Sequence, residues 1–213
     1  MHRIEMLNGS REFCQEFLTD VRISDSDRVG NLDDGWTVGT RWLFHERMLY
    51  NSPYVSFPAR DSRGGLDATV VYEIAQEIDR LGDAGVLGLI GEARVLELVA
   101  DHLGSRITEG LRLGTSPDQA SAIARLFRGA AGARIRTLAL DVAGPAGAAF
   151  TGEGAAADAA TRFLMRQAGS IAGGTLEMAR NVISERILAM PRERTGDRDT
   201  PFRDVPRSRS SDS

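Results

Sequence analysis

The sequence predicts a mainly α fold, an antiparallel helical bundle preceded by a short β-strand remnant. Three observations predict it. Residues 13–23 alternate side to side with the period of a strand, and apolar residues from position 33 onward recur at spacings of three and four. Glycine and proline clusters then cut the helical part into segments able to fold back on one another. Strands followed by a run of helices imply an α+β layout or two segregated domains. The boundaries drawn from these changes are 1–32 for the strand segment, 33–191 for the bundle and 192–213 for a disordered tail.

Within the first segment, Phe13, Gln15, Phe17 and Thr19 alternate with Cys14, Glu16, Leu18 and Asp20. Val21 and Ile23 carry the pattern to a polar turn at Ser24 to Asp27. This is a strand pair, too small to stand alone. Asp33 or Asp34 is placed to cap a helix containing Trp36, Gly39, Leu43 and Tyr50, which ends before Pro53 and a Pro/Ser/Gly-rich loop at 51–65. Val70, Val71, Ile74 and Ile78 mark a helix over 67–81. Leu89, Ala93, Leu96, Val99, Leu103, Ile107 and Leu111 mark a long one over 86–113. Gly114 to Pro117 supplies a stop and a new start, with proline at the first helical position. The next helix, 117–142, closes at Gly144, Pro145 and Gly147. A further helix is predicted over 158–165 and the last begins at Thr175. Beyond Pro191 there is no periodicity.

With 213 residues, 42% of them hydrophobic and 26% charged, the chain can build one good-sized core or two small ones. A net charge of -4 and a pI near 5.5 provide no broad basic field, which argues against nucleic acid as a partner. All 26 basic residues are arginine. No apolar run approaches the roughly 20 residues of a membrane span, and the first residues lack a signal-peptide core, so the expected setting is the cytoplasm, without membrane association. One cysteine, Cys14, excludes an internal disulfide and a thiolate metal cluster, and reads as a partly buried strand residue. His2, His45 and His102 have no metal-ligand spacing, Asp25, Asp27, Asp33 and Asp34 lack the spacing of a calcium loop, and no metal is predicted. No Ser-His-Asp arrangement is evident.

Two motifs carry more information. The first runs from Phe13 to Arg47 and includes Val29, Gly30, Asn31, Asp34, Gly35 and Trp36, then His45, Glu46 and Arg47. The second is Gly173, Gly174, Thr175 and Glu177, continuing through Arg180, Asn181, Glu185 and Arg186 to Pro191. In this order, at the two ends of a helical stretch, they resemble flavin-dependent acyl-CoA dehydrogenases. The resemblance covers most of the chain unevenly, because between the motifs it lies in length and pattern more than in residues.

The resemblance implies that residues 1–32 are the end of a middle β-domain and 33–191 the C-terminal bundle, with the N-terminal part of the family's architecture missing. It implies FAD as cofactor, an acyl-CoA thioester as substrate, and removal of a proton alpha to the thioester while hydride leaves the beta carbon. Many members place the base, a glutamate, just before the Gly-Thr pair. Gly173 stands there and cannot act as one. A second branch places it on the first bundle helix before an arginine, which Glu46 and Arg47 match, making Glu46 the candidate base.

Helical spacing sets Glu46 beside Gly39, Trp42, Leu43, Leu49 and Tyr50, an apolar neighbourhood that would raise its pKa and strengthen its ionised form as a base. A structural ion pair with an arginine is the other reading of the same acid. Arg47 and Gly174 are the candidate substrate-binding residues, and Gly173, Thr175, Glu177 and Gly144 the candidate cofactor-binding ones. Thr175 is also an N-cap by type, and Glu177 also a favourable first-turn acid. Gly144 falls where the family has a glycine-rich turn facing a neighbouring subunit's flavin, here interrupted by Pro145.

Two functions stay open. The chain is either part of an FAD-dependent acyl-CoA dehydrogenase, or an accessory subunit, catalytically incomplete, that oligomerises with a flavin-bearing partner. Either way a homo-oligomer or heteromer is expected, because a bundle without its usual neighbours leaves apolar surface to cover.

Overall fold

The computed structural model describes residues 1–51, 66–149, 153–192 and 200–205, without the side chains of 47–51 and Phe202. Two three-residue strands, β1 (His2–Ile4) and β2 (Phe13–Gln15), pair antiparallel with Arg3 opposite Cys14. The alternation predicted to reach Ile23 forms no further ladder, since neither strand has a second neighbour to pair with among the described residues. Phe13, Phe17, Leu18, Val21 and Ile23 are therefore exposed, as is Cys14, which the sequence placed in a partly buried setting. A 3-10 turn at Asp25–Asp27 follows, capped by the Ser24 hydroxyl.

Helix α1 (Gly35–Asn51) begins after Asp33 turns the chain with a left-handed φ of 63°, and the Val38 N–H donates to the Asp34 carbonyl at 3.2 Å. Asp34 thus opens the ladder. The bundle comprises α2 (Thr69–Glu77), α3 (Ala84–Arg112), α4 (Ser121–Ala149), α5 (Gly154–Leu164), the short α6 (Ala168–Ile171) and α7 (Leu176–Val182). Asp83 caps α3, its carboxylate accepting from Gly85 N at 2.8 Å and Val86 N at 3.4 Å. Glu77 reaches from α2 to accept from Ala155 N at 2.7 Å, satisfying a free amide at the start of α5. The predicted loop at 51–65 lies outside the described residues except for Asn51, which ends α1. Most of the predicted tail also lies outside them, and Phe202–Asp204 forms a 3-10 turn.

Helix α4 is the axis of the fold, packing against α2, α3, α5 and α7. It starts later than predicted, since Pro117 caps a 3-10 turn at Asp118–Ala120 instead of entering the helix. It also runs past the predicted end at Val142. Gly144, at φ 59° and ψ -140°, kinks the helix, and Pro145 opens a second helical segment where its missing N–H is tolerated. Arg80 donates to the Val142 carbonyl at 2.8 Å just before the kink.

The core joins α2 to α5 through Val71, Ile74, Val86, Ala93, Leu138, Val142 and Ala159. Most of its members are alanine or valine, so the helices approach closely and little volume separates them. On the rim, Arg134 of α4 makes a two-pronged pair with Glu92 of α3, at 2.6 and 2.9 Å.

Leu138 is fully buried at the centre of this core. Leu138→Ala should destabilise the chain by about 2–5 kcal/mol, read as a fall in the urea midpoint. A loss under about 1 kcal/mol would show that α4 is not the axis. Hydrogen bonding to Arg134 holds the Glu92 carboxyl below its ordinary value despite partial burial. The stability this pair adds is complete above the usual carboxylate range and is lost as pH falls through the lowered folded value. Glu92→Gln should therefore flatten the acid limb of midpoint against pH, leaving the neutral limb parallel.

Candidate functional site

The best-formed part of the candidate site is the turn ahead of α7. Gly173 and Gly174 have φ of 72° and 99°, left-handed values that suit glycine, so the chain reverses tightly into the next helix. A Cβ on Gly174 would meet nothing within 4 Å, which leaves that face of the turn open to a ligand. Thr175 then caps α7, its hydroxyl accepting from Met178 N at 3.1 Å. Beyond Val182 the helix loosens into a π turn at Ile183–Ile187.

The turn is braced from a distance. Arg125 of α4 donates through one Nη to the Ala172 carbonyl at 2.7 Å and the Gly174 carbonyl at 2.8 Å. One turn along α4, Gly129 faces Leu176, whose Cδ2 would lie 2.5 Å from a Cβ placed there. The absence of a side chain at 129 is what lets α7 seat on α4. Sequence reading passed over both residues. Their position beside a helix of small residues was a weak signal, and their partners lie 47 to 49 positions away.

Glu177 is exposed and pairs with Arg180 at 3.4 Å, the first-turn ion pair of the plainer reading. Gly144 sits fifteen residues beyond Gly129, about 22 Å along α4 at the rise of a helix. Within one chain it is remote from the turn. Its Cβ position would be 3.3 Å from Arg80 Nη1, so the kink is backed by Arg80.

Glu46 lies on α1, and the described side chains do not give it the apolar neighbourhood that the spacing predicts; those of Leu49 and Tyr50 lie outside the described residues. Glu46 itself is exposed, and so are Trp42 (75%), Leu43 and Phe44 on the same helix. The physical reason is that α1 has no extensive packing partner among the described residues, α7 and its turn included. Periodicity marks a face fit for burial without providing what buries it. Arg47 is on the same helix, its side chain outside the described residues. Among the described residues, the turn at 173–175 and the acid at 46 therefore stand as two separate pieces.

The open face at Gly174 and the small residues around it fit the close approach of a ligand, and the residues that would hold a dinucleotide's sugar-phosphate portion here are Gly173, Thr175 and Glu177. Among the described residues no three His, Cys, Asp or Glu side chains are grouped to hold a metal, and no helix is long and apolar enough to cross a membrane.

Comparison with known proteins gives two relatives. Over 198 residues the chain is 30% identical to acyl-CoA dehydrogenase IpdE1 of Mycolicibacterium smegmatis, covering 91% of this chain and 46% of that protein. Over 202 residues it is 26% identical to acyl-CoA dehydrogenase IpdE1 of Mycobacterium tuberculosis, covering 91% of this chain and 48% of that one. The chain spans about half the length of the curated relatives it matches. No family model and no solved structure matches it.

Removing the Thr175 hydroxyl leaves a helix-start amide unsatisfied. Thr175→Ala should cost about 1 kcal/mol in denaturant unfolding, with Thr175→Ser restoring most of it. Equal stability of all three forms would remove the cap from the account.

Proposed function

The chain is a partial-length relative of acyl-CoA dehydrogenases, and from that premise we propose that it forms the rear half of an FAD-dependent acyl-CoA dehydrogenase site. Its reaction is alpha-beta dehydrogenation of an acyl-CoA thioester. The observation that carries the proposal is the double left-handed Gly173-Gly174 turn, open on one side, clasped by Arg125 and leading into the Thr175 cap. It is the part of the second motif with the most exacting backbone geometry, and relatives named as acyl-CoA dehydrogenases align with this chain over nine-tenths of its length.

In this reading Gly173, Thr175 and Glu177 receive the cofactor's sugar-phosphate end, and Gly144 faces the cofactor of a neighbouring subunit. FAD, when bound, supplies the hydride acceptor. Glu46 accepts the alpha proton, and Arg47 with Gly174 positions the thioester. A carboxylate in water is a weak base for such a proton, so Glu46 acts only after its surroundings are dried. The cover is a second polypeptide or another copy of this chain, laid over the exposed apolar residues of α1 and of the segment ahead of it. Hydride transfer also benefits from that cover, since it excludes water from the reacting atoms.

One specific observation favours a second reading, an accessory subunit without chemistry of its own. Glycine occupies position 173, where many acyl-CoA dehydrogenases carry their base, and the substitute acid at 46 is exposed. In that case the chain contributes surface and oligomerises with a flavin-bearing partner.

The assembled protein, purified with whatever chain co-purifies, decides between them. The dehydrogenase reading expects a yellow preparation, a sedimenting species larger than one chain, and acyl-CoA turnover that falls about 10²- to 10⁴-fold in Glu46→Gln with the flavin retained. Undiminished turnover in Glu46→Gln would remove Glu46 from the reaction, and a colourless monomer that ignores added FAD would overturn both readings.

A further inference from the structure

Arg125 reaches the turn ahead of α7 by way of the residue one turn further along its own helix. Its side chain is half-buried and lies over Gly129, where a Cβ would come within 2.9 Å of its Nη1 and within 2.5 Å of Leu176 Cδ2. A larger residue at 129 would press on the guanidinium and on α7 together. The missing side chain therefore opens the corridor in which the cation lies.

The bonds at the end of that corridor fix more than the path of the chain. One Nη carries two hydrogens and donates to the carbonyls of Ala172, at 2.7 Å, and Gly174, at 2.8 Å. The peptides here are trans, and in a trans peptide the N–H lies on the opposite edge from the C=O. Holding those two oxygens toward α4 thus places the Gly173 and Thr175 amides on the edges turned away from the guanidinium. Neither amide has an acceptor among the described residues.

Both peptide planes adjoin a glycine at positive φ, Gly173 at 72° and Gly174 at 99°, where the backbone turns over with little steric resistance. A plane that turned over would present a carbonyl oxygen where an amide had stood. Phosphate oxygens are held by the amide and repelled by the carbonyl. We propose that Arg125 is a positioning residue of the cofactor site: it holds the Ala172–Gly173 and Gly174–Thr175 peptides in the one orientation that a phosphate-bearing cofactor accepts. This rests on the reading of Gly173, Thr175 and Glu177 as the residues that receive the cofactor.

Titration with FAD of the full chain, purified with whatever chain co-purifies and freed of bound flavin, tests it through the quenching of flavin fluorescence. Arg125→Gln should raise the Kd for FAD about tenfold or more, as for a turn that keeps its receptive shape roughly a tenth of the time. Arg125→Lys, whose ammonium can donate to both carbonyls, should restore the Kd to within about threefold of wild type. Arg128→Gln, which removes an exposed cation from the same helix, should leave it unchanged. Urea unfolding of each variant separates positioning from general support. A purely structural role lowers the midpoint of Arg125→Gln while the folded protein binds FAD as tightly as wild type, and that result would overturn the proposal. An equal loss of affinity in Arg128→Gln would overturn it too, by reducing the effect to net charge. Wild-type protein that binds no FAD would overturn the cofactor reading of the turn and this proposal with it, whereas FAD binding indifferent to Arg125 overturns the proposal alone.

Discussion

Everything in the bundle depends on how closely other helices approach α4. Its buried positions are Gly129, Ala131, Ile135, Leu138, Ala139, Val142, Ala143 and Gly147, mostly side chains of one to three heavy atoms or none. Small contacts of this kind shorten the distance between helix axes and let backbone carbonyls come within reach of arginines on neighbouring turns. The consequence is a core with little tolerance for added volume: at Gly129 an extra carbon would press on Leu176, and at Gly147 on Ala143 and Leu140 at under 3 Å. Long-range polar contacts then complete what the small residues permit. Glu77 on the start of α5, Arg80 on the end of the first α4 segment and Arg125 on the turn before α7 each satisfy backbone groups that a helix cannot satisfy for itself.

Against this close-packed body, the N-terminal fifty residues form a contrast. The segment between β2 and α1 displays Phe17, Leu18 and Ile23 to solvent, and α1 displays Trp36 and Trp42, with Trp36 at 85% exposure. Scattered apolar residues are ordinary on a protein surface, whereas here many are gathered in one contiguous segment. A two-stranded ladder, and a helix with no extensive packing partner among the described residues, gain little from burial.

Much of the local structure was legible in the sequence. Spacings of three and four located α1 to α3 within a few residues and α4 up to its kink, and the hydroxyl of Thr175 beside a glycine pair identified the start of α7 together with its cap. What sequence left obscure has a common cause. Asp83 and Thr175 cap helices from a distance of two or three residues, so local pattern contains them. Glu77 and Arg125 act over 78 and 47 to 49 residues, and nothing near them in the chain names their partners. The strand alternation that ran to Ile23 failed for the same reason, because a strand needs a neighbour that period alone does not provide. Gly144 looked like a terminator, and tertiary packing carried the helix through it by a kink. The apolar spacing around Glu46 predicted a buried face, and its described members Trp42 and Leu43 are exposed.

The Arg125 clasp also has a bearing on the order in which the polypeptide acquires its shape. A reversal held by a brace nearly fifty residues upstream cannot set until the bracing helix exists and the intervening segments have folded back, so loop closure must be paid for first. During synthesis the closing segment would emerge onto a surface already assembled and lock there as the final event. Scission of the backbone between α4 and α7 would separate brace from reversal, leaving the terminal segment to find its seat as a bimolecular encounter.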